Sequence, residues 1–191
     1  MHMADALVSP PVATGMAVAS LAVGAYSIFK IKKENKPENI PVMGVMGAFV
    51  FATQMVNFTI PGTGSSGHLC GGLLLSALIG PYGGFLSMMA ILLLQCLLFA
   101  DGGLMAYGCN VWNMAFYACF FGYFCIYKPI LGKNPSKKKI LIASILGSVL
   151  SLQLGAFSVT LETLISGVTE LPFLTFLSFM FNHFLPFFSY S

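Results

Sequence analysis

The sequence has little charge and no arginine. Charged residues make up only 8% of its 191 residues, whereas a soluble domain carries roughly 25%. Hydrophobic residues make up 57%, and the mean hydropathy is +0.86. All nine cations are lysines in two short clusters, so the net charge of +3 does not indicate a nucleic-acid partner. We therefore expect an integral membrane protein in contact with the lipid bilayer.

Several motifs that carry chemistry are also absent. The five cysteines form no Cys-x-x-Cys pair and lie in apolar surroundings, where cysteine packs as a small hydrophobe. The eleven methionines are scattered, which favours space filling over relay of a soft metal. A glycine-rich stretch at residues 62–72 lacks the lysine and the strand-turn-helix setting of a phosphate-binding loop. A nucleotide-hydrolysing function is therefore not expected.

The lysine clusters predict the topology. One spans Lys30–Lys36 and the other Lys128–Lys139, and the positive-inside rule places both in the cytoplasm. The apolar segments between and around them are Leu7–Phe29, Pro41–Ile60, Leu69–Phe99, Leu104–Tyr127, Ile140–Thr160 and Pro172–Tyr190. Because both clusters are cytoplasmic, the chain between them must cross the membrane an even number of times. This requires two crossings from Leu69–Phe99, with a turn at Gly80-Pro81. The first segment has no basic region before it, so we expect no cleaved secretory signal.

The predicted fold is therefore an all-α integral membrane protein with about seven transmembrane helices, its N-terminus outside and its C-terminus in the cytoplasm. We expect a single domain over residues 1–191. This topology brings a set of polar residues to the outer ends of their segments: Met1, His2, Asp5, His68 and Asp101. Ionisable groups are costly near a bilayer, so such a set is a candidate functional site.

Histidine at position 2 gives the start of the chain a chelating pattern. A bulky second residue prevents removal of Met1, so the α-amine of Met1 stays next to His2. That amine, the backbone nitrogen of His2 and its imidazole Nδ1 close a five-membered and then a six-membered chelate ring. One more nitrogen completes a plane, which suits Ni(II), Cu(II) or low-spin Co(II). The alternative is that His2 merely follows the start codon and that His68 caps a helix.

Other polar residues are candidates to support this site. Metal-bound histidine usually needs a hydrogen-bond partner that fixes its tautomer, and Asp5 or Asp101 could serve. Asp101 could equally cap the helix that starts near Gly103. Asn110 and Asn113 share one helix face and could bond the His68 loop or join helices. Ser66, in the glycine-rich stretch, is a further candidate.

Four stretches of the sequence resemble a known family. They are Met1–Asp5, the turn GTGSSGHLCGG at residues 62–72, residues 97–114 with LLFADGGLMAYGCNVWNM, and LPFLTF at residues 171–176. They look like the substrate-binding S subunit of energy-coupling-factor nickel and cobalt importers, the NikM/CbiM family. The resemblance covers about residues 1–180.

The resemblance implies both a ligand set and partners. The ion, Ni(II) or Co(II), is the transported substrate, held by the amine of Met1, the backbone nitrogen and imidazole of His2, and the imidazole of His68. The partners are a transmembrane coupling subunit, a pair of cytoplasmic ATPases and often a small two-helix membrane component. The family further implies the inner (cytoplasmic) membrane of a prokaryote and a transporter subunit that is not itself an enzyme.

The sequence departs from the family pattern at two places. Ala6 stands where the family usually has glycine, and the residues after about 180 do not match the usual continuation of the last helix. We therefore expect a truncated or divergent C-terminus, and we assign His183 no metal role.

Two alternative functions stay open at this point. One is a vitamin-type S subunit, which should have a larger aromatic cavity and no need for His2. The other is an intramembrane metalloenzyme, which needs an open coordination position. For docking of a partner helix, the small residues Gly15, Ala19, Ser20 and Gly24 of the first segment are our candidates.

Overall fold

The apolar segments of the sequence form long helices in the computed structural model. It describes residues 2–34, 36–60 and 65–168, and for residues 57–60 and 65–67 the backbone alone. The predicted last helix, Pro172–Tyr190, and His183 lie outside the described residues, as does Met1.

Within the described residues, six α-helical elements and one π-helix follow in chain order after a 3-10 turn at Asp5–Leu7. They are α1 (Pro10–Glu34), α2 (Asn39–Gln54), α3 (Gly72–Phe99), α4 (Tyr107–Val111), the π-helix Trp112–Tyr127, α5 (Lys128–Leu131) and α6 (Lys137–Ser166). Proline begins α1, where its missing N–H costs nothing, and Gly167 ends α6 in the left-handed conformation with φ 61°.

Four of the helical stretches are long and apolar enough to cross a membrane. They are Pro10–Glu34, Gly72–Phe99, Tyr107–Leu131 and Lys137–Ser166, while α2 is shorter, with 16 residues. The prediction of a helical, multi-pass membrane protein is thereby confirmed. The count of seven crossings and the orientation of the termini stay predictions.

Helix α3 reverses direction in its first third. Gly80 has φ 81° and ψ 160°, which breaks the helix directly before Pro81. A straight helix of these 28 residues would be about 42 Å long, yet the residues that flank α3, His68 and Asp101, both contact His2. The chain must therefore turn back at Gly80. The predicted break is in place, but the first arm, residues 72–79, is too short to cross a bilayer by itself.

The two arms of α3 pack closely enough to require glycine. A Cβ atom placed on Gly84 would lie 2.8 Å from the backbone nitrogen of Ser76 and 3.1 Å from its Cα. Such distances lie inside van der Waals contact, so even a methyl group would push the arms apart. The tight reversal returns the chain to the end of the bundle at which α3 begins. This end carries His2, and we call it the histidine face.

Two short strands precede α3, and the all-helical prediction did not include them. β1 (Asn57–Ile60) and β2 (Ser65–His68) pair antiparallel, with Asn57 opposite His68. The serines and the glycine of β2 are poor strand formers, so its pairing with β1 reflects the need of the backbone for hydrogen-bond partners near an apolar bundle. The hairpin carries His68 to the histidine face.

Helix α1 lies directly against α4, and this contact corrects part of the docking prediction. The Ser20 hydroxyl donates to the Gly108 carbonyl oxygen at 2.8 Å, and a Cβ on Gly24 would touch the Met89 side chain at 3.0 Å. Ser20 and Gly24 are buried inside the chain and so do not offer a surface to a partner. Gly15 is exposed with no atom within 4 Å of its Cβ position, and Ala19 is half-buried.

We expect Gly84→Ala to destabilise the protein by about 1–3 kcal/mol, because the added methyl group overpacks the contact with Ser76. Gly44→Ala is the matched control, since its Cβ would meet no atom within 4 Å. The control should be neutral or stabilising by up to about 1 kcal/mol through helix propensity. Unfolding of both variants in detergent measures the difference. Equal stability of the two variants would contradict the close packing of the α3 arms.

Candidate metal site

The first residues of the chain enter the helix bundle and are held there by their main chain. The Met3 backbone nitrogen donates to Asn110 Oδ1 at 2.7 Å, and Asn110 Nδ2 donates to the Met3 carbonyl oxygen at 3.1 Å. Gly103 N donates to the same carbonyl at 2.9 Å. Met3 is 1% exposed. The side-chain amide of Asn110 thus acts like a neighbouring strand and fixes the path of the residue that follows His2.

The loop between α3 and α4 surrounds this segment. Gly102, at φ 94°, approaches His2 so closely that a Cβ would lie 3.2 Å from its Cδ2 atom, and a Cβ on Gly103 would overlap the carboxylate of Asp5. Asp5 Oδ1 accepts from the Ala106 backbone N–H at 2.9 Å, just before α4 begins. Asp5 therefore accepts the hydrogen bond at the helix start, for which the sequence had made Asp101 the candidate.

The His2 imidazole is buried between two oxygen atoms. Its Nε2 lies 3.2 Å from Gln95 Oε1, and its Nδ1 lies 3.1 Å from Asp101 Oδ1. The interaction with His2 lowers the pKa of the Asp101 carboxyl, which is therefore ionised. His2 Nδ1 and Asp101 Oδ2 are both buried and make no hydrogen bond of good geometry within the described residues. A cation bound at Nδ1 would give this nitrogen a partner.

His68 reaches the same place from β2. Its ring centroid lies 4.9 Å from that of His2, with an angle of 32° between the ring planes. Its Nδ1 donates to the Leu69 carbonyl oxygen at 2.9 Å, which leaves the ring lone pair on Nε2. Burial lowers the pKa of His68 to about 3, so the ring is neutral at physiological pH. A neutral imidazole is the form that binds metal ions.

A second polar contact joins α6 to the N-terminal segment. Asn113 Nδ2 donates to Glu162 Oε2 at 2.7 Å and lies 3.7 Å from the Met3 sulfur. Glu162 is the one carboxylate in α6 and is 5% exposed. Asn113 therefore links helices, as one of the two readings of the sequence expected.

The structure thus brings His2, His68 and Asp101 together, with Asp5 and Asn110 holding the segment that carries His2. Met1 and the Ser66 side chain lie outside what it describes. Within the described ranges, no three His, Cys, Asp or Glu side chains are arranged to hold a metal ion by themselves. A metal at the histidine pair would therefore need main-chain or N-terminal nitrogens as well.

Three polar residues near the site were not predicted from the sequence: Gln54, Gln95 and Glu162. All are buried, at 0%, 0% and 5% exposure. The signal that could have found them is the cost of a polar side chain in an apolar helix, which implies a partner inside the bundle. Sequence spacing does not say which partner, because each lies on a different helix.

The fold and the site define a protein with several helices able to cross a membrane and a pair of histidines at one end of its helix bundle. Comparison with known families gives the class a name. Residues 2–189 match the CbiM family, described as the cobalt uptake substrate-specific transmembrane region. The chain belongs to this family, whose members are nickel and cobalt transport proteins.

Two similar proteins are also named as metal transport proteins. A protein of Archaeoglobus fulgidus assigned as a fused nickel transport protein (NikMN) is 42% identical over 136 residues, which is 71% of this chain and 44% of that protein. The cobalt transport protein CbiM of Acetoanaerobium sticklandii is 34% identical over 145 residues, covering 75% of this chain and 59% of its own length. The chain spans about half the length of these relatives.

The fold also matches a solved structure. The crystal structure of a truncated transition metal transporter superposes with a TM-score of 0.77 at 32% identity, and the match covers 85% of this chain and 74% of that one.

The lowered pKa of His68 predicts a pH effect on stability. The unfolded chain protonates His68 near 6.5 and the folded protein only near 3, so the unfolded state binds more protons between these values and stability falls as the pH is lowered through this window. Thermal unfolding of metal-free protein in detergent should therefore be less sensitive to mild acid in His68→Ala than in the parent. The other titratable groups are common to both proteins, and equal pH slopes would show that His68 is not held neutral.

Proposed function

We propose that this chain captures Ni(II) or Co(II) at the outer face of the membrane and delivers it to an ATP-driven importer of the energy-coupling-factor type. The observation that carries the proposal is the pair of imidazoles of His2, which is buried, and His68, which is half-buried, with centroids 4.9 Å apart. Family membership supports the choice of nickel or cobalt as the transported substrate.

The distance between the rings suits two imidazoles on one ion. With metal–nitrogen bonds of about 2 Å, two imidazoles at right angles around an ion have centroids roughly 4.5 Å apart. In the proposed site the Met1 amine, the His2 amide nitrogen and His2 Nδ1 occupy three corners of a square. His68 takes the fourth corner, which is adjacent to Nδ1. Four nitrogens in a plane favour Ni(II) or low-spin Co(II) over Zn(II), which prefers a tetrahedron.

The charges in the site also suit a divalent ion. Binding through the His2 amide nitrogen removes one proton, so the chelate carries a single positive charge. Asp101 is ionised beside His2 Nδ1 and contributes one negative charge. The sum is zero, which matters because an isolated charge is costly in the low-dielectric interior of the bundle. A planar set of four nitrogens also leaves little room for the open position that a metalloenzyme needs.

Delivery requires other proteins in this proposal. The chain contains no nucleotide-binding motif, so the work of uptake comes from a pair of cytoplasmic ATPases, joined through a transmembrane coupling subunit and often a small two-helix component. Gly15 on α1 is the small residue of the predicted docking set that is fully exposed, with open space at its Cβ. Ala19 lies one helical turn further along the same helix.

Acetylating the α-amine of Met1 should lower nickel affinity by more than ~100-fold, which exceeds the usual 10–100-fold effect of an outer hydrogen-bond partner. Acetylation removes one nitrogen donor of the chelate but leaves His2 and Met3 in place, so folding should be retained. Isothermal titration with nickel and with cobalt measures the change. The same protein with a free α-amine is the matched control. Acetylated protein that binds as tightly as this control would rule out the N-terminal chelate.

Uptake is tested in proteoliposomes with radiolabelled nickel. The chain alone should bind the ion without concentrating it, and uptake should appear only with the coupling subunit, the ATPases and ATP. Gly15→Leu should reduce co-purification with the coupling subunit and uptake while nickel binding stays unchanged, because bulk at a helix surface blocks close approach. Concentrative uptake by the chain alone would instead identify a self-sufficient transporter. Binding of an organic vitamin in place of nickel would support the vitamin-type reading.

A further inference from the structure

The carboxyl group of Glu162 is buried in the helix bundle with too few hydrogen-bond partners. Glu162 lies four residues before the end of α6 and is 5% exposed. Its Oε2 accepts from Asn113 Nδ2 at 2.7 Å. Its Oε1 and Asn113 Oδ1 are both buried, and neither has a hydrogen-bond partner within the described residues. An ionised carboxylate in this position would be unfavourable, because a buried charge needs a partner of opposite charge as well as hydrogen bonds.

No positive charge compensates this carboxyl within the described part of the chain. α1, α3, the π-helix and α5 pack against α6, and none of them brings a charged side chain to Glu162. The titratable group that faces it is the Cys109 thiol of α4. The lysines of α6 lie at its start, about 35 Å away along the helix. The dipole of α6 also disfavours a negative charge near the C-terminal end of the helix. The surroundings therefore favour the neutral acid.

Neither a metal ion nor a water molecule supplies the missing contact. Within the described residues, no group of three His, Cys, Asp or Glu side chains could hold a metal ion. Asn113 lines a cavity of about 20 Å³ between α3, the π-helix and α6, which has room for about one water molecule. That water would serve Asn113 Oδ1, but Glu162 does not line the cavity. Glu162 Oε1 therefore needs a hydrogen of its own.

One hydrogen on the carboxyl suits both orientations of the Asn113 amide. In the orientation described, Nδ2 donates to Oε2, and a hydrogen on Oε1 turns this oxygen into a donor, for which Asn113 Oδ1 is an unpaired acceptor. If the amide is turned over, Oδ1 lies at the 2.7 Å contact, where only a hydroxyl on Oε2 can form a hydrogen bond. An ionised carboxylate fits the first orientation alone and leaves Oε1 without a donor. We propose that Glu162 is a proton-binding site of the folded protein and is neutral at physiological pH.

The proton couples the packing of α6 to the N-terminal segment. Asn113 Nδ2, which contacts Glu162, also lies 3.7 Å from the sulfur of Met3. Val159, three residues before Glu162, packs against the buried cluster that contains Met3. Loss of the proton would leave a negative charge without a cation in this interior, and the end of α6 would have to move toward water to solvate it. The observed packing of α6 beside Met3 therefore requires one bound proton.

Glu162→Gln tests the protonation state directly. A glutamine amide has the shape of a neutral carboxylic acid, and it can both accept from and donate to the Asn113 amide. The infrared difference spectrum between the metal-free parent and Glu162→Gln, recorded at neutral pH, should contain the carbonyl stretch of a protonated carboxylic acid. Glu38→Gln is the matched control, because it makes the same chemical change at an exposed side chain. Its difference spectrum should show the loss of an ionised carboxylate instead.

The pH dependence of unfolding in detergent gives a second readout. The unfolded chain ionises Glu162 above a pH of about 4.3, the reference value for glutamic acid, whereas the folded protein keeps its proton. The folded state then binds more protons, so raising the pH should destabilise the parent relative to Glu162→Gln, by up to about tenfold in the unfolding equilibrium constant per pH unit. The opposite effect of His68 is common to both proteins and cancels. Glu38→Gln should keep the pH slope of the parent.

Two results would overturn the inference. One is an infrared spectrum in which Glu162 is ionised at neutral pH, and the other is an equal pH slope for the parent and Glu162→Gln. Should Glu162→Gln fail to fold, the parent labelled with ¹³C-glutamate decides, because the absence of a protonated glutamate at neutral pH would also refute the proposal. Neither readout uses nickel, so the inference and the proposed function can fail separately.

Discussion

The paired hydrogen bonds between Asn110 and the main chain of Met3 are the constraint on which the site depends. They bring an extended backbone segment into an apolar bundle, where an unpartnered N–H or C=O group costs several kcal/mol. One side chain supplies both a donor and an acceptor, at 3.1 and 2.7 Å. Gly103 adds a third bond. These bonds hold the main chain of Met3 in the bundle and thereby keep the neighbouring His2 at the histidine face.

The rest of the site follows from segments that are distant in sequence but end at this face. The turn at Gly80 returns α3, so that its two ends can both approach His2. The β-hairpin supplies His68 at one end of α3, and the loop after Phe99 supplies Asp101 at the other. Close packing of glycines, rather than large side chains, makes room for this convergence, as the contacts of Gly84, Gly102 and Gly103 demonstrate.

Much of the fold could be predicted because the bilayer imposes strong rules on composition. The low charge and the two lysine clusters predicted a multi-pass helical protein, and the Gly80-Pro81 pair predicted the break in α3. The strand Ser65–His68 could not be predicted, because serine and glycine are poor strand formers and its pairing with Asn57–Ile60 depends on surroundings that a local pattern does not encode.

The site was predictable where it depends on chain position and not where it depends on packing. His2 and His68 were found because position 2 and a lone histidine among glycines are visible in the sequence. The roles of Asp5 and Asp101 could not be separated, because both are acids predicted at the outer face and only the fold places Asp5 beside the start of α4. Gln54 and Gln95 lie 41 residues apart on different helices, and no spacing rule relates them. Ser20 and Gly24 were assigned to a partner although they pack against α4 and α3 of the same chain.

The Asn110 contact has a consequence for how the protein is made. His2 and Met3 are synthesised more than a hundred residues before Asn110, and Glu162 follows later still. The segment that carries His2 must therefore stay outside the nascent bundle until the helix that begins at Tyr107 has inserted. Assembly of the histidine face is then completed by helices that are made well after the segment that bears His2.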